Sequence, residues 1–209
     1  VKGSVYTLVY AVVLGTVCAG VLTFAATFTK PYRDANREAE EAKNILLALN
    51  VPIPKKTPAK ELLALRDEKV QEIERGGIMT YVYSPGGATA PPEAVAIRFA
   101  GPGLWGPIKG FLALDPEITK ILRITFYEQE ETPGVGSKIV EDWFRLRFID
   151  LAIRGGDGKP GIIIGSGEDA PNRVDGISGA TMTCDKVEDM LNEAIKSIVE
   201  AIKSTVKEQ

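Results

Sequence analysis

The sequence predicts an α+β protein with a single N-terminal transmembrane helix and a helical stalk, followed by a domain of mixed sheet and helix. Three observations predict it. Val5 to Phe28 runs for 24 positions without a charge. The stretch after it is charged and has helical periodicity. From Ile78 onward, runs of β-branched and aromatic residues are separated by Gly and Pro, and a long amphipathic helix closes the chain. The expected division is 1–29 for the anchor, 30–76 for the stalk and linker, and 77–209 for the globular domain.

A helix over Val5–Phe28 would reach roughly 36 Å at ~1.5 Å per residue, enough to cross a ~30 Å hydrocarbon core. Tyr6 and Tyr10 suit an interfacial belt. The run exceeds the ~7–15 apolar residues of a secretory signal, so a retained anchor is expected. Lys30, Arg33 and Arg37 outnumber Lys2 across the span, and the positive-inside rule places the rest of the chain in the cytoplasm.

From Lys30 to Asn50, Ala42, Ile45, Leu46 and Leu49 keep one helical face apolar. Val51–Pro58 is Pro-rich and breaks that helix, and a second helix is expected over Pro58–Arg75. Met79–Ser84, Ala94–Ala100, Gly110–Asp115 and Ile121–Gln129 read as strands. Val95, Ile97 and Phe99 alternate with Ala96 and Arg98, as in a half-buried strand. Lys138–Arg147 reads as a short helix with Trp143 and Phe144 as core aromatics, and Phe148–Ile153 and Gly161–Gly165 as further strands. Gly155–Lys159 lacks a full phosphate-loop pattern and reads as a hairpin turn. The last helix, Cys184–Lys207, carries Val187, Met190, Leu191, Ala194, Ile195, Ile198, Val199, Ile202 and Val206 on one face. Thr183 is its expected N-cap, and Asp185 with Glu188 resembles a capping pair.

Composition removes several kinds of chemistry. A net charge of −3 without a basic stripe speaks against nucleic-acid binding. The chain has no histidine, which excludes His-based triads and His-ligated metal or haem. Its two cysteines, Cys18 and Cys184, suggest neither a disulfide nor a cluster. Cys184 reads as a free buried thiol. Asp157, Glu168, Asp169 and Asp175 fit no calcium-loop spacing. No metal site and no catalytic residue of the chain's own is expected.

Three glycine loops remain: Gly101–Pro107 (GPGLWGP), Glu131–Gly136 (ETPGVG) and Asp175–Thr181 (DGISGAT). Singly, each reads as turn chemistry. Together they suit a planar ligand with a phosphate tail, because the third leads directly into a helix N-terminus, where backbone N–H groups and the helix dipole favour an anion. Thr181 adds a nucleophilic oxygen at that point.

Ser178-Gly179-Ala180-Thr181 with the upstream Asp175-Gly176, together with the GLWG and ETPGVG loops in the same order, resembles the FMN-binding domain of ion-pumping membrane redox complexes. The chain is similar to the flavin-carrying G subunit of Rnf-type ferredoxin:NAD oxidoreductases and, next, to the C subunit of Nqr-type sodium-pumping NADH:quinone oxidoreductases; the compact length is nearer the first. The resemblance implies FMN joined through its phosphate to Thr181, with Ser178, Gly179 and Ala180 shaping the attachment turn and Asp175 in the recognition motif. It implies that Glu131, Thr132, Gly134 and Val135 line the edge and face of the isoalloxazine, with Leu104 and Trp105 opposite or beneath. It further implies a Mg-dependent flavin transferase that installs FMN from FAD. Electron transfer would run with a flavin-bearing membrane subunit and iron–sulfur subunits of a Na⁺ or H⁺ pump. The location implied is a prokaryotic inner or cell membrane, single-pass, with the domain on the outer face, against the charge signal above. A membrane-tethered flavin-binding regulatory domain is the alternative from another class.

Overall fold

A computed structural model describes residues 2–87, 89–156 and 158–207 of the chain. Asp157, one of the acids weighed above, lies outside the described residues, as does the side chain of Val206. Two compact units are present, Val1–Ala39 and Glu40–Gln209. Helix α1 (Lys2–Ala48) contributes to both, with Pro31 inside it just past the apolar run.

In the first unit the apolar side chains from Val5 to Phe28 are exposed, and the segment is long and apolar enough to cross a membrane. Its hydroxyls are accommodated locally. Thr7, Thr16, Thr27 and Thr29 each donate to the carbonyl four residues earlier, at 2.8–3.0 Å. Those bonds satisfy the side-chain donors inside the helix, as a hydrocarbon environment requires.

The second unit is built on an antiparallel meander of β1 (Val70–Arg75), β2 (Ile78–Tyr83), β3 (Ala94–Pro102), β4 (Pro107–Leu114) and β5 (Ile121–Glu128), ordered as in sequence. Both faces of the sheet are covered. On one face, Ile45 and Leu46 from the end of α1 join Leu49 just past it, Val51, Leu62 of α2 (Ala59–Lys69), Tyr81 and Phe111 in a core. Ala94, Ala96 and Ala113 are the small residues of that face. They leave room for the Tyr81, Phe111 and Tyr127 rings, which meet at 5.4–5.5 Å. On the other face, Ile97, Phe99, Leu112, Ile124 and Phe126 meet α4 (Thr181–Lys207) through Val187, Leu191, Ile195 and Ile198.

This double burial gives the alternation of β3 a different meaning. It separates two cores rather than core from solvent, so Ala96 is as buried as Ile97, and Arg98 alone among the alternating pair is exposed. The apolar stripe of residues 42–49, expected on a stalk, is a layer of this unit.

Several elements differ from expectation. The helix expected to reach Arg75 ends at Lys69, and Val70–Arg75 pairs with β2 from Val70↔Tyr83 to Arg75↔Ile78. Gly76 and Gly77 both take positive φ (55° and 80°), which a two-residue hairpin turn requires. The helix expected over 138–147 is divided. A 3₁₀ turn (Gly136–Val140), α3 (Asp142–Arg145) and a second 3₁₀ turn (Leu146–Phe148) follow one another, with Glu141 extended between the first two. Phe144 is fully buried, but Trp143 is exposed and is not a core aromatic.

The strand expected at 148–153 is reduced to an isolated bridge, Lys120↔Ala152, where Asp150 turns the chain with a positive φ of 61°. The one at 161–165 shortens to β6 (Ile163–Ile164), parallel to β7 (Arg173–Val174). Helix α4 takes the place of the missing strand partner. Asn192 accepts from the Ile162 N–H and donates to its carbonyl (2.6 and 3.0 Å), and Glu188 accepts from the Ile164 N–H (2.6 Å). Glu188 therefore does not cap α4, which starts at Thr181, three residues earlier than expected.

Burial of residues 42–49 gives a direct test. Leu46→Ala should destabilise the second unit by about 2–5 kcal/mol in denaturant titration of the detergent-solubilised chain. The half-exposed neighbour Leu47→Ala should cost less than about 0.5 kcal/mol. Equal costs would show that this helix end carries no core.

Candidate functional site

Two of the glycine loops, and the first turn of the helix that follows the third, meet through one buried carboxylate. The β3–β4 turn is closed by Pro102↔Pro107 pairing and by the Gly103 N–H donating to the Gly106 carbonyl at 2.8 Å, so Leu104 and Trp105 project at its tip. Glu131 follows β5 and is 4 % exposed. Its Oε1 accepts from the Leu104 N–H at 2.7 Å and the Trp105 N–H at 3.3 Å, and its Oε2 accepts from the Thr183 hydroxyl at 2.5 Å. Its own N–H donates to Gln129 Oε1 at 2.7 Å. One side chain thus joins a hairpin tip, its own loop and the first turn of α4.

The glycines around it are a packing requirement. A Cβ at Gly103 would overlap Glu131 Oε1. One at Gly136 would sit 2.7 Å from Thr183 Oγ1 and 2.9 Å from Glu131 Oε2, and one at Gly106 would sit 2.6 Å from Glu130 Cβ. Gly134 and Gly179 have a different reason. Both take positive φ (73° and 78°) and have no atom within 4 Å of a Cβ position, so they serve turn geometry in open space.

The Asp175–Thr181 loop is held from its C-terminal side. The Ala180 N–H donates to the Ile177 carbonyl and the Cys184 N–H to the Ala180 carbonyl, both at 3.0 Å; the Ile177 N–H donates to Cys184 Sγ at 3.3 Å. Burial pushes the Cys184 thiol up, outweighing that last bond, so it is a packing group rather than a competing nucleophile. Thr183 is not an N-cap: it lies inside the helix and its hydroxyl goes to Glu131. Thr181, about 200° away around the helix at two residues' separation, stays exposed.

A cleft of about 510 Å³ is lined by Gly176, Ser178, Gly179, Thr181, Gly165 and Ser166, among others. Among the described residues the N–H groups of Gly176, Ser178 and Gly179 have no protein acceptor. The first N–H groups of α4 add the unsatisfied donors of any helix start. Leu104, Trp105, Val135 and Met182 are exposed apolar side chains, with Trp105 at 71 %. An exposed hydroxyl, a cleft walled by small residues and free N–H groups suit a phosphate ester, although the carboxylates of Asp175 and Asp185 also line the cleft and oppose a free dianion.

The sequence-predicted residues thus fall into two sets. Thr132, Gly134, Val135, Leu104, Trp105, Ser178, Gly179 and Thr181 are exposed; Ala180 and Glu131 are buried. The carboxylate of Glu131 is taken up by protein donors. Sequence reasoning misses the link from Glu131 to Thr183, which spans 52 residues and leaves no local signal. The glycines at 103 and 136 are its only trace. Among the described residues no group of His, Cys, Asp or Glu could hold a metal ion.

Comparison with known proteins agrees with this geometry. Residues 103–196 match the FMN-binding domain family. The chain is 32 % identical over 130 residues to the C subunit of Na(+)-translocating NADH-quinone reductase from Neisseria meningitidis, covering 61 % of this chain and 50 % of the relative. It is 26 % identical over 216 residues to the protein of the same name from Haemophilus ducreyi, covering 85 % and 84 %. The chain spans about half the length of the Neisseria relatives it matches. A crystal structure of the C subunit of Na(+)-translocating NADH-quinone reductase from Parabacteroides distasonis has the same fold, with a TM-score of 0.68 at 23 % identity over 81 % of this chain and 94 % of that one. All three glycine loops fall within or against the segment, residues 103–196, that matches the FMN-binding domain family.

Proposed function

We propose that this protein is a membrane-anchored electron-transfer subunit that carries FMN as a phosphoester of Thr181. The observation that carries the reading is the exposed Thr181 hydroxyl at the start of α4, in a cleft of small residues, beside loops locked together by Glu131. When bound, FMN supplies one- and two-electron chemistry, and the protein supplies its position and electrostatic setting. Ser178, Gly179 and Ala180 shape the attachment turn. Thr132, Gly134, Val135, Leu104 and Trp105 offer the backbone edges and apolar surface against which a ring would lie.

Attachment requires a donor and a second protein. The Thr181 oxygen forms a bond to the FMN-side phosphorus of FAD, the pyrophosphate P–O bond breaks and AMP leaves with its electron pair. The hydroxyl proton passes to a base of the flavin transferase or to solvent. The other cofactors of the pathway belong to partner subunits: a flavin-bearing membrane subunit and iron–sulfur subunits of a redox-driven Na⁺ or H⁺ pump of Rnf or Nqr type. The similarity to the quinone-reductase C subunits favours the Nqr type. Co-purification separates them, since the Nqr type brings a quinone-reactive subunit and the Rnf type a ferredoxin-like one. In either assembly the globular unit lies on the outer membrane face.

Co-expressed with a flavin transferase, the wild-type chain should fluoresce in a denaturing gel and Thr181→Ala should not; fluorescence that survives the substitution would sink the attachment. Glu131→Ala should cost about 1–3 kcal/mol by leaving buried donors without an acceptor and should lower flavin incorporation, whereas Glu131→Gln, which still accepts from Leu104 and Trp105, should cost less. An alanine variant of wild-type stability would remove Glu131 from its linking role. For orientation, Lys55→Cys lies at an exposed position of the second unit. An impermeant maleimide should label it in intact cells, and labelling only after lysis would place the unit in the cytoplasm.

A further inference from the structure

The attachment motif is anchored at its C-terminal side by α4, but its first residue is held from elsewhere. Arg147 Nη1 donates to the Asp175 carbonyl at 2.8 Å. Among the described residues this is the side-chain bond to the motif that comes from outside both the motif and α4. A trans peptide is planar, so fixing that carbonyl also fixes the Gly176 N–H on its opposite side. Gly176 lines the cleft, and its N–H has no protein acceptor among the described residues.

Arg147 is itself braced. Phe144 and Phe148 are fully buried and meet edge to face at 5.3 Å, pinning α3 and the turn after it. This leaves Trp143 and Arg147, four residues apart, on the outer side, and the guanidinium lies 4.9 Å from the centre of the Trp143 ring. The indole Nε1–H donates to Glu141 Oε2 at 2.5 Å, which fixes the ring. The result is a chain of contacts running Glu141, Trp143, Arg147, Asp175 carbonyl. It also explains why a tryptophan expected in the core lies at the surface.

We propose that Arg147, braced by Trp143, is a positioning residue for the attachment motif, holding Asp175–Gly176 in the conformation that a flavin transferase accepts. The inference rests on Thr181 being the flavin acceptor. Lysine cannot replace the arginine. Stacking on the indole while donating in the plane to a carbonyl needs a flat guanidinium, and an ammonium is a point charge on a flexible stem. Without the brace, a smaller fraction of chains presents the competent loop, and the apparent affinity for the transferase falls by that fraction.

The test is the initial rate of covalent flavin incorporation into the full chain in detergent, with flavin transferase, FAD and Mg²⁺, as a function of acceptor concentration. Arg147→Ala, Arg147→Lys and Trp143→Ala should each raise the KM for the acceptor about tenfold with kcat nearly unchanged. Trp143→Phe, which keeps an aromatic face, should stay within about twofold of wild type. The double variant Trp143→Ala/Arg147→Ala should be no slower than Arg147→Ala, because both act through one contact to Asp175. Melting temperatures should change by less than about 3 °C for these exposed sites. Wild-type KM in Arg147→Ala, full activity in Arg147→Lys, or additive losses in the double variant would each overturn the positioning role. Absence of labelling in the wild type, or labelling of Thr181→Ala, would instead overturn the attachment reading beneath it.

Discussion

Everything around the site depends on where the Glu131 carboxylate is placed. It is nearly buried, and its oxygens accept from two backbone N–H groups of the β3–β4 turn and from a hydroxyl in α4. A buried carboxylate without such donors would be expensive, so the three elements must arrive together or not at all. Gly103 and Gly136 have no room for a Cβ because the carboxylate and the Thr183 hydroxyl occupy that space. The glycines that read in sequence as ligand approach are, at these two positions, the mould around an internal acid.

That junction lies at one end of a sheet covered on both faces, and the cover decides what α4 can present. Val187, Leu191, Ile195 and Ile198 fix the rotation of the helix on the sheet. With rotation fixed, the helical repeat sends Thr183 inward and leaves Thr181 and Met182 outward. Hydroxyls two residues apart thereby acquire opposite roles, one as a structural donor and one as an accessible oxygen. A two-residue shift of α4 would bring Thr181 to the buried position of Thr183, so the core packing sets the chemistry available at the loop.

Much of this is legible in the sequence, and the failures have physical causes. The uncharged run, the four strands β2 to β5 and the apolar stripe of the last helix can be read because each is a local signal. The Val70–Arg75 strand escapes because its alternation is weak, although the Gly76-Gly77 pair carries the hairpin signal. The short segments after Phe148 fail as strands because α4 side chains, Asn192 and Glu188, supply the hydrogen bonds a strand partner would. At the site the sequence exposes the loops and the threonine that starts α4. It cannot expose the Glu131–Thr183 bond or the Arg147 contact, since both join residues 28 or more positions apart.

The charge of the cleft bears on the proposed covalent tether. Among the residues lining it are two carboxylates, Asp175 and Asp185, and no lysine or arginine. A free phosphate monoester carries about −1.5 to −2 charges at neutral pH. Favourable interactions there would come from backbone N–H groups and from the helix end, the latter worth about 0.3–1 kcal/mol at an exposed site. Against two acids, such a site holds a dianion poorly by reversible binding. Esterification at Thr181, as proposed, would remove one ionisable oxygen, lessen the repulsion and replace affinity with a bond. A flavin carried at such a cleft, with no cationic side chain lining it to grip the phosphate, would gain more from that bond than from reversible binding.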